Sequence, residues 1–238
     1  MIPLSDKNPT RRLPFVNWTL IAINLLAFFY ELALPARQLD RFILTWGAIP
    51  NNILVALTHP LQTPPNIWFT LISSQFLHAG WLHVLGNMLF LWIFGDNIED
   101  VLGHFTYLVF YLFCGSVAGI AQSFVLGASH VPSIGASGAI AGVLGAYIVL
   151  YPWARVRILI PIVFIPWIVD VPALLVLGWW FIQQFFYGAA VLTSTASEGI
   201  AFWAHIGGFV VGAILILPFI GRAYRRRTPT YAGFDKQL

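Results

Sequence analysis

Long apolar runs that no two-residue alternation breaks up decide what this chain can fold into. Backbone N–H and C=O groups find no water in hydrocarbon, so only helices and closed barrels span a membrane. A barrel would show alternating segments of about ten residues. None is present, so the runs are helical. Of 238 residues, 59% are hydrophobic and 9% charged, against about 25% charged in a soluble domain. The chain reads as an integral, all-α membrane protein.

The net charge of +3 does not describe a surface for anions. Lys7, Arg11 and Arg12 precede the first apolar run, and Arg155 and Arg157 sit in a middle loop. Arg222, Arg225, Arg226, Arg227 and Lys236 follow the last run, leaving only Arg37 and Arg41 elsewhere. This clustering orients the spans by the positive-inside rule and excludes a nucleic-acid patch. The single Cys114 excludes an internal disulfide. The polar start lacks the pattern of a cleaved signal peptide, so the first span is expected to stay as an anchor.

Six spans are expected, at about 15–34, 80–95, 104–126, 137–151, 171–190 and 200–220. A cytoplasmic segment 1–14 precedes the core of residues 15–221, and a basic cytoplasmic tail, 222–238, follows it. Residues 35–76 carry five prolines among apolar stretches, which predicts an interfacial loop lying partly in the membrane. Asp96-Asn97-Ile98-Glu99-Asp100 is expected to form an acidic turn. The fourth span is too short to cross about 30 Å of hydrocarbon. Its first residue, Ser137, should therefore lie in a recess. With basic ends inside and an even count of spans, that recess opens outward.

Three motifs carry chemistry. In Gly135-Ala136-Ser137-Gly138 the glycines strip side chains from around a hydroxyl in the membrane, so another backbone can approach it. His205 lies within the sixth span, where ionisable groups are costly. The Gly138/Gly142 and Gly208/Gly212 faces would pack closely and bring Ser137 to His205. There the imidazole could accept the serine proton. His83 and Asn87 share one face of the second span, and an asparagine N–H suits a developing oxyanion. Plain helix packing with a cross-helix histidine hydrogen bond, and a polar clamp between spans, account for these residues as well. His78 reads as a polar stabiliser, while His59, His104 and His130 have no partner spacing. Without a carboxylate or an HExxH helix, neither a metal nor any other cofactor is expected.

Taken together, His78-x-x-x-x-His83-x-x-x-Asn87, Gly135-Ala136-Ser137-Gly138 and Ala204-His205-x-x-Gly208-x-x-x-Gly212 resemble the rhomboid family of intramembrane serine proteases. The resemblance covers nearly the whole chain and implies a six-helix bundle. It implies Ser137 as nucleophile and His205 as its general base. An oxyanion hole would be built from Asn87, His83, the Ser137 backbone N–H, and Gly135 and Gly138. Glu99 and Gly103 match positions that tie a cytoplasmic turn together. Implied partners are single-span membrane-protein substrates and the lipid bilayer, with no nucleic acid and no metal. A bacterial inner membrane is the simplest location, both termini cytoplasmic.

Two departures stand out. No Trp precedes an Arg in the first long loop, and Ala141 stands where some members place a Tyr that stacks on the histidine. Glu198 and Asp170 are not placed to orient His205, so a Ser-His dyad is expected. The fifth span, with Trp179, Trp180, Phe181, Phe185 and Phe186, is expected to form a movable side wall. A client-binding relative without activity, or a transporter lined by His83, Asn87 and His205, would be the rival functions. The first would have no need of both Ser137 and His205, and the second none of Gly-x-Ser-Gly.

Overall fold

The structure is a computed structural model that describes residues 2–162, 165–193 and 201–227. Helix α1 (Phe15–Ala33) is followed by α2 (Ala36–Trp46), α3 (Pro50–Thr58) and α4 (Pro65–Ser73), then by α5 (Trp81–Leu102), α6 (His104–Val125) and α7 (Ser137–Leu150). A hairpin of β2 (Arg155–Ile162) and β3 (Ile165–Pro172) leads into α8 (Ala173–Thr193), α9 (Phe202–Leu215) and α10 (Ile220–Arg227). Strand β1 (Ile2–Asp6) adds to the hairpin.

Among the described residues four helical stretches are long and apolar enough to cross a membrane: Phe15–Ala33, His104–Val125, Ala173–Ala190 and Phe202–Tyr224. Counted as one span, the pair Pro65–Phe76 and Trp81–Leu102, bent by 84°, makes a fifth. Helix α7, at 14 residues, rises only about 21 Å. The expected interfacial loop is three short helices, and no residue of α2 is buried.

Helix α7 is the centre of the bundle. Every residue from Gly138 to Tyr147 is buried, so its neighbours must come close on all sides. Glycine permits that. A Cβ on Gly142 would meet Cys114 of α6. One on Gly208 would meet the carbonyl of Gly138, and one on Gly212 the backbone of Gly142. The α7 and α9 backbones therefore touch where the paired glycines suggested.

Helix α1 buries a narrow polar stripe of Asn17, Asn24 and Glu31 beside Leu20 and Phe28. Its first N–H groups have no intrahelical partner. Glu99, fully buried, accepts from the Val16 and Asn17 N–H groups at 3.0 and 2.7 Å and pairs with His104 Nδ1 at 2.5 Å. The acidic stretch 96–100 is thus not a turn but the end of α5. The chain reverses one residue later, at Gly103, whose φ of 81° places it in the left-handed region. His104, expected to lack a partner, has Glu99.

Segment 152–172 also differs from expectation. Its prolines and apolar residues form two strands that join β1 in a three-stranded antiparallel sheet, in the order β1-β2-β3. Val156 and Ile158 face inward and are buried, while Arg155 and Arg157 face outward, the two-residue period of a strand. Lys7 and Arg157 pair with Asp170 of β3, at 2.5 and 3.2 Å, and hold its carboxyl below the usual range. Asp6 accepts from the Tyr147 hydroxyl at 2.5 Å and from Asn97 at 3.1 Å, and burial raises its pKa. These bonds fasten the sheet to the ends of α5 and α7. Glu198 and Lys236 lie outside the described residues.

Candidate active site

Ser137 is the first residue of α7. Just before it, Gly135 takes φ 124°, and its N–H donates to the Ser74 carbonyl at 2.9 Å. A Cβ there would lie 2.7 Å from Cε1 and Nε2 of His83. Glycine is therefore required twice, by its backbone angle and by the imidazole beside it. Its N–H is already committed, so Gly135 contributes space rather than an oxyanion donor.

His205 stands in the first turns of α9, only 9% exposed. Its Nε2 is 2.7 Å from the Ser137 hydroxyl. Its Nδ1 is 2.7 Å from Oε1 of Gln184 on α8. The ring of Trp180, one turn earlier on α8, lies 5.7 Å away at an interplanar angle of 36°. An aromatic from α8 thus packs against the imidazole, where Ala141 on α7 offers none. Neighbouring Ala204 donates its N–H to Gln122 Oε1 on α6 at 3.1 Å.

Asn87 and His83 approach the serine from α5. The Asn87 amide nitrogen contacts His78 Nε2 at 3.0 Å. An amide nitrogen only donates, so this His78 nitrogen accepts and Asn87 keeps a second N–H. The buried His78 is held in turn: its backbone N–H donates to both carboxylate oxygens of Glu31, at 3.1 and 3.3 Å. His83 Nδ1 accepts from the Ala79 N–H at 3.4 Å, which leaves its proton on Nε2, the nitrogen beside Gly135. The Ser137 and Gly138 N–H groups belong to the first turn of α7, which has no intrahelical acceptors.

These groups share a cavity of about 560 Å³. Ser137, His205, His83 and Asn87 line it together with the apolar Leu82, Phe90, Leu144 and Trp180. Behind the serine a second recess, of about 30 Å³, is walled by Gly115, Ala118, Gly119, Gly138 and Ala204 with Ser74 and Gln75. The arrangement supplies a serine hydroxyl against an imidazole, with Asn87 and His83 lining the same cavity. That set suits acyl transfer. Among the described residues no three His, Cys, Asp or Glu side chains converge on a metal position.

Residues 65–222, more than half of the chain, match the Rhomboid domain. The chain belongs to the rhomboid family. It is 31% identical over 158 residues to the chloroplastic Rhomboid-like protein 11 of Arabidopsis thaliana, covering 63% of this chain and 51% of that one. It is 33% identical over 133 residues to the Rhomboid protease GluP of Bacillus subtilis, covering 56% and 24%. With the Rhomboid-type serine protease 2 of Emericella nidulans it shares 29% over 157 residues, covering 63% and 27%. The alignments span about half or less of these relatives.

Sequence reasoning missed Gln184, and it placed Trp180 in the side wall without its contact to His205. The signal was present: a glutamine amid aromatic residues in a span is as conspicuous as a histidine there. Its four-residue spacing from Trp180 puts both on one face.

Proposed function

We propose that this rhomboid is an intramembrane serine endopeptidase that cuts peptide bonds in or beside the transmembrane helices of single-span membrane proteins. The observation that carries the reading is the 2.7 Å contact between Ser137 Oγ and His205 Nε2 in the wall of a cavity of about 560 Å³. Ser137 Oγ attacks the scissile carbonyl carbon as His205 Nε2 takes its proton. The carbonyl oxygen becomes an oxyanion facing the Asn87 amide, His83 Nε2–H and the backbone N–H groups of Ser137 and Gly138. His205 returns the proton to the leaving amine, whose C–N bond breaks. Water, deprotonated by the same imidazole, then releases the acyl group from Ser137.

The recess of about 30 Å³ behind the serine holds about one water-sized group, so it admits a small side chain next to the cut bond. A helix that must unwind to expose its carbonyl also favours small or helix-weak residues there. Helix α7 counts as a short sixth span. The basic clusters face the cytoplasm in this reading, and the serine opens to the opposite side of a bacterial inner membrane.

A fluorophosphonate probe reacts with an activated serine and needs no known substrate. Label is expected on Ser137, absent in His205→Ala, and accessible to an impermeant probe in right-side-out vesicles. Folded protein that takes no label in detergent or in lipid would favour a client-binding role instead. Entry of substrate between α5 and α8 has its own check. A disulfide engineered across their outer ends should stop cleavage of a membrane-embedded reporter yet leave probe labelling intact. Undiminished reporter cleavage in the cross-linked protein would refute lateral entry.

A further inference from the structure

The geometry points to Gln184 as a positioning residue that fixes the tautomer and orientation of His205, making the base depend on α8 being seated. This rests on the protease reading of Ser137 and His205. To accept the serine proton, Nε2 must be bare, which places the imidazole hydrogen on Nδ1. Nδ1 faces Gln184 Oε1 at 2.7 Å. The amide's own orientation is set within α8, because Gln184 Nε2 donates to the Trp180 carbonyl at 3.3 Å. Reversing the amide would put an N–H against Nδ1–H and a carbonyl oxygen against a carbonyl oxygen, losing both bonds. Only one amide orientation and one histidine tautomer satisfy the chain, and that tautomer bares Nε2 toward Ser137.

Burial strengthens the constraint. Gln184 is 7% exposed and His205 9%, so water is a poor substitute for either partner. Among the described residues that line the cavity there is no carboxylate, and His83 is the other titratable one; the amide, 2.7 Å from Nδ1, is the group placed to orient the ring. Trp180 stacks beside the same imidazole. Both residues are carried by α8, whereas Ser137 and the oxyanion donors are carried by α7 and α5. If α8 swings aside to admit a substrate helix, the base loses its acceptor and its stacking ring together. Both return when α8 closes. A rhomboid built this way is inactive while open.

The test compares Gln184→Met, which fills the volume without an oxygen acceptor, with Gln184→Glu, which keeps an oxygen at the same reach. Fluorophosphonate labelling of Ser137 should slow about tenfold or more in Gln184→Met, short of the ~10⁴-fold loss that follows a reversed triad tautomer. Gln184→Glu should restore most of the rate and move the acid limb of its pH profile upward, since a carboxylate favours the imidazolium. Equal rates in wild type and Gln184→Met, or equal losses in both variants, would overturn the assignment. Should Gln184→Met fail to fold, an unmoved acid limb in Gln184→Glu overturns it alone. The ¹⁵N-histidine spectrum separates this inference from the reading beneath it. A wild type that takes no label defeats the protease reading, while a His205 resonance without a protonated Nδ1 defeats the role of Gln184.

Discussion

Helices α7 and α8 both reach the candidate site, and they are built in opposite ways. Helix α7 is buried on every side from Gly138 to Tyr147 and meets α9 backbone to backbone. Helix α8 buries only a narrow stripe that includes Ala173, Leu177 and Gln184, and turns Trp179, Phe185 and Phe186 outward, each more than half exposed. Its N-terminal end is tied down, with the Ala173 and Leu174 N–H groups donating to the Ala154 and Pro152 carbonyls at 2.8 and 2.9 Å. The serine is thus positioned by backbone that cannot shift without opening the core. The histidine's supports come from a peripheral helix, which α9 also meets near its other end, where Trp203 Nε1–H donates to the Gly188 carbonyl at 3.2 Å. Position is fixed by close packing and orientation by side chains, and the second can change without disturbing the first.

A matched pair of substitutions probes that difference at its strongest. In Gly208→Ala the new methyl meets the Gly138 carbonyl, backbone that has no rotamer to yield. Overpacking of this kind costs about 1–3 kcal/mol, and a displacement of about 1 Å at a reacting pair costs roughly a hundredfold in rate. Both the thermal midpoint and the labelling rate should fall. In Gly178→Ala on α8 the methyl meets nothing within 4 Å, so the change should be neutral or stabilise by up to about 1 kcal/mol. Similar losses in the two variants would show that α8 is as tightly built in as α7.

What sequence could and could not reveal follows the same division. Glycine faces, a serine among them and a histidine at depth are periodic features of single helices, and pairing Gly138/Gly142 with Gly208/Gly212 was enough to bring Ser137 toward His205. The acidic stretch 96–100 misled because charge was taken for exposure. Glu99 is buried, satisfied by two N–H groups of α1 from far along the chain and by the nearby His104. The sheet was hidden because β1 and β2 are separated by most of the bundle, and the prolines at 161 and 166 argued against a strand. They fall opposite one another near the end of the hairpin, where such residues are tolerated. Gln184 was missed for a similar reason. Attention went to carboxylates as partners for the histidine, and a neutral amide from another helix does the orienting.

The smallest effect expected is also the one most specific to α8. Trp180 and Trp179 are adjacent, equal in volume and hydrophobicity, and differ in what they face. Trp180 packs against His205 with ring centroids 5.7 Å apart, whereas Trp179 is 51% exposed, toward lipid in this reading. An aromatic contact of this kind contributes about 0.5–1.5 kcal/mol beyond its area. Trp180→Ala should therefore slow Ser137 labelling about threefold to tenfold, and Trp179→Ala should leave it unchanged. Thermal midpoints measured in the same detergent separate support of the imidazole from general loosening of the helix. If both variants lose rate in proportion to stability, α8 acts only as a wall. If Trp180→Ala loses rate while keeping its midpoint, the ring belongs with Gln184 to the machinery that holds the base.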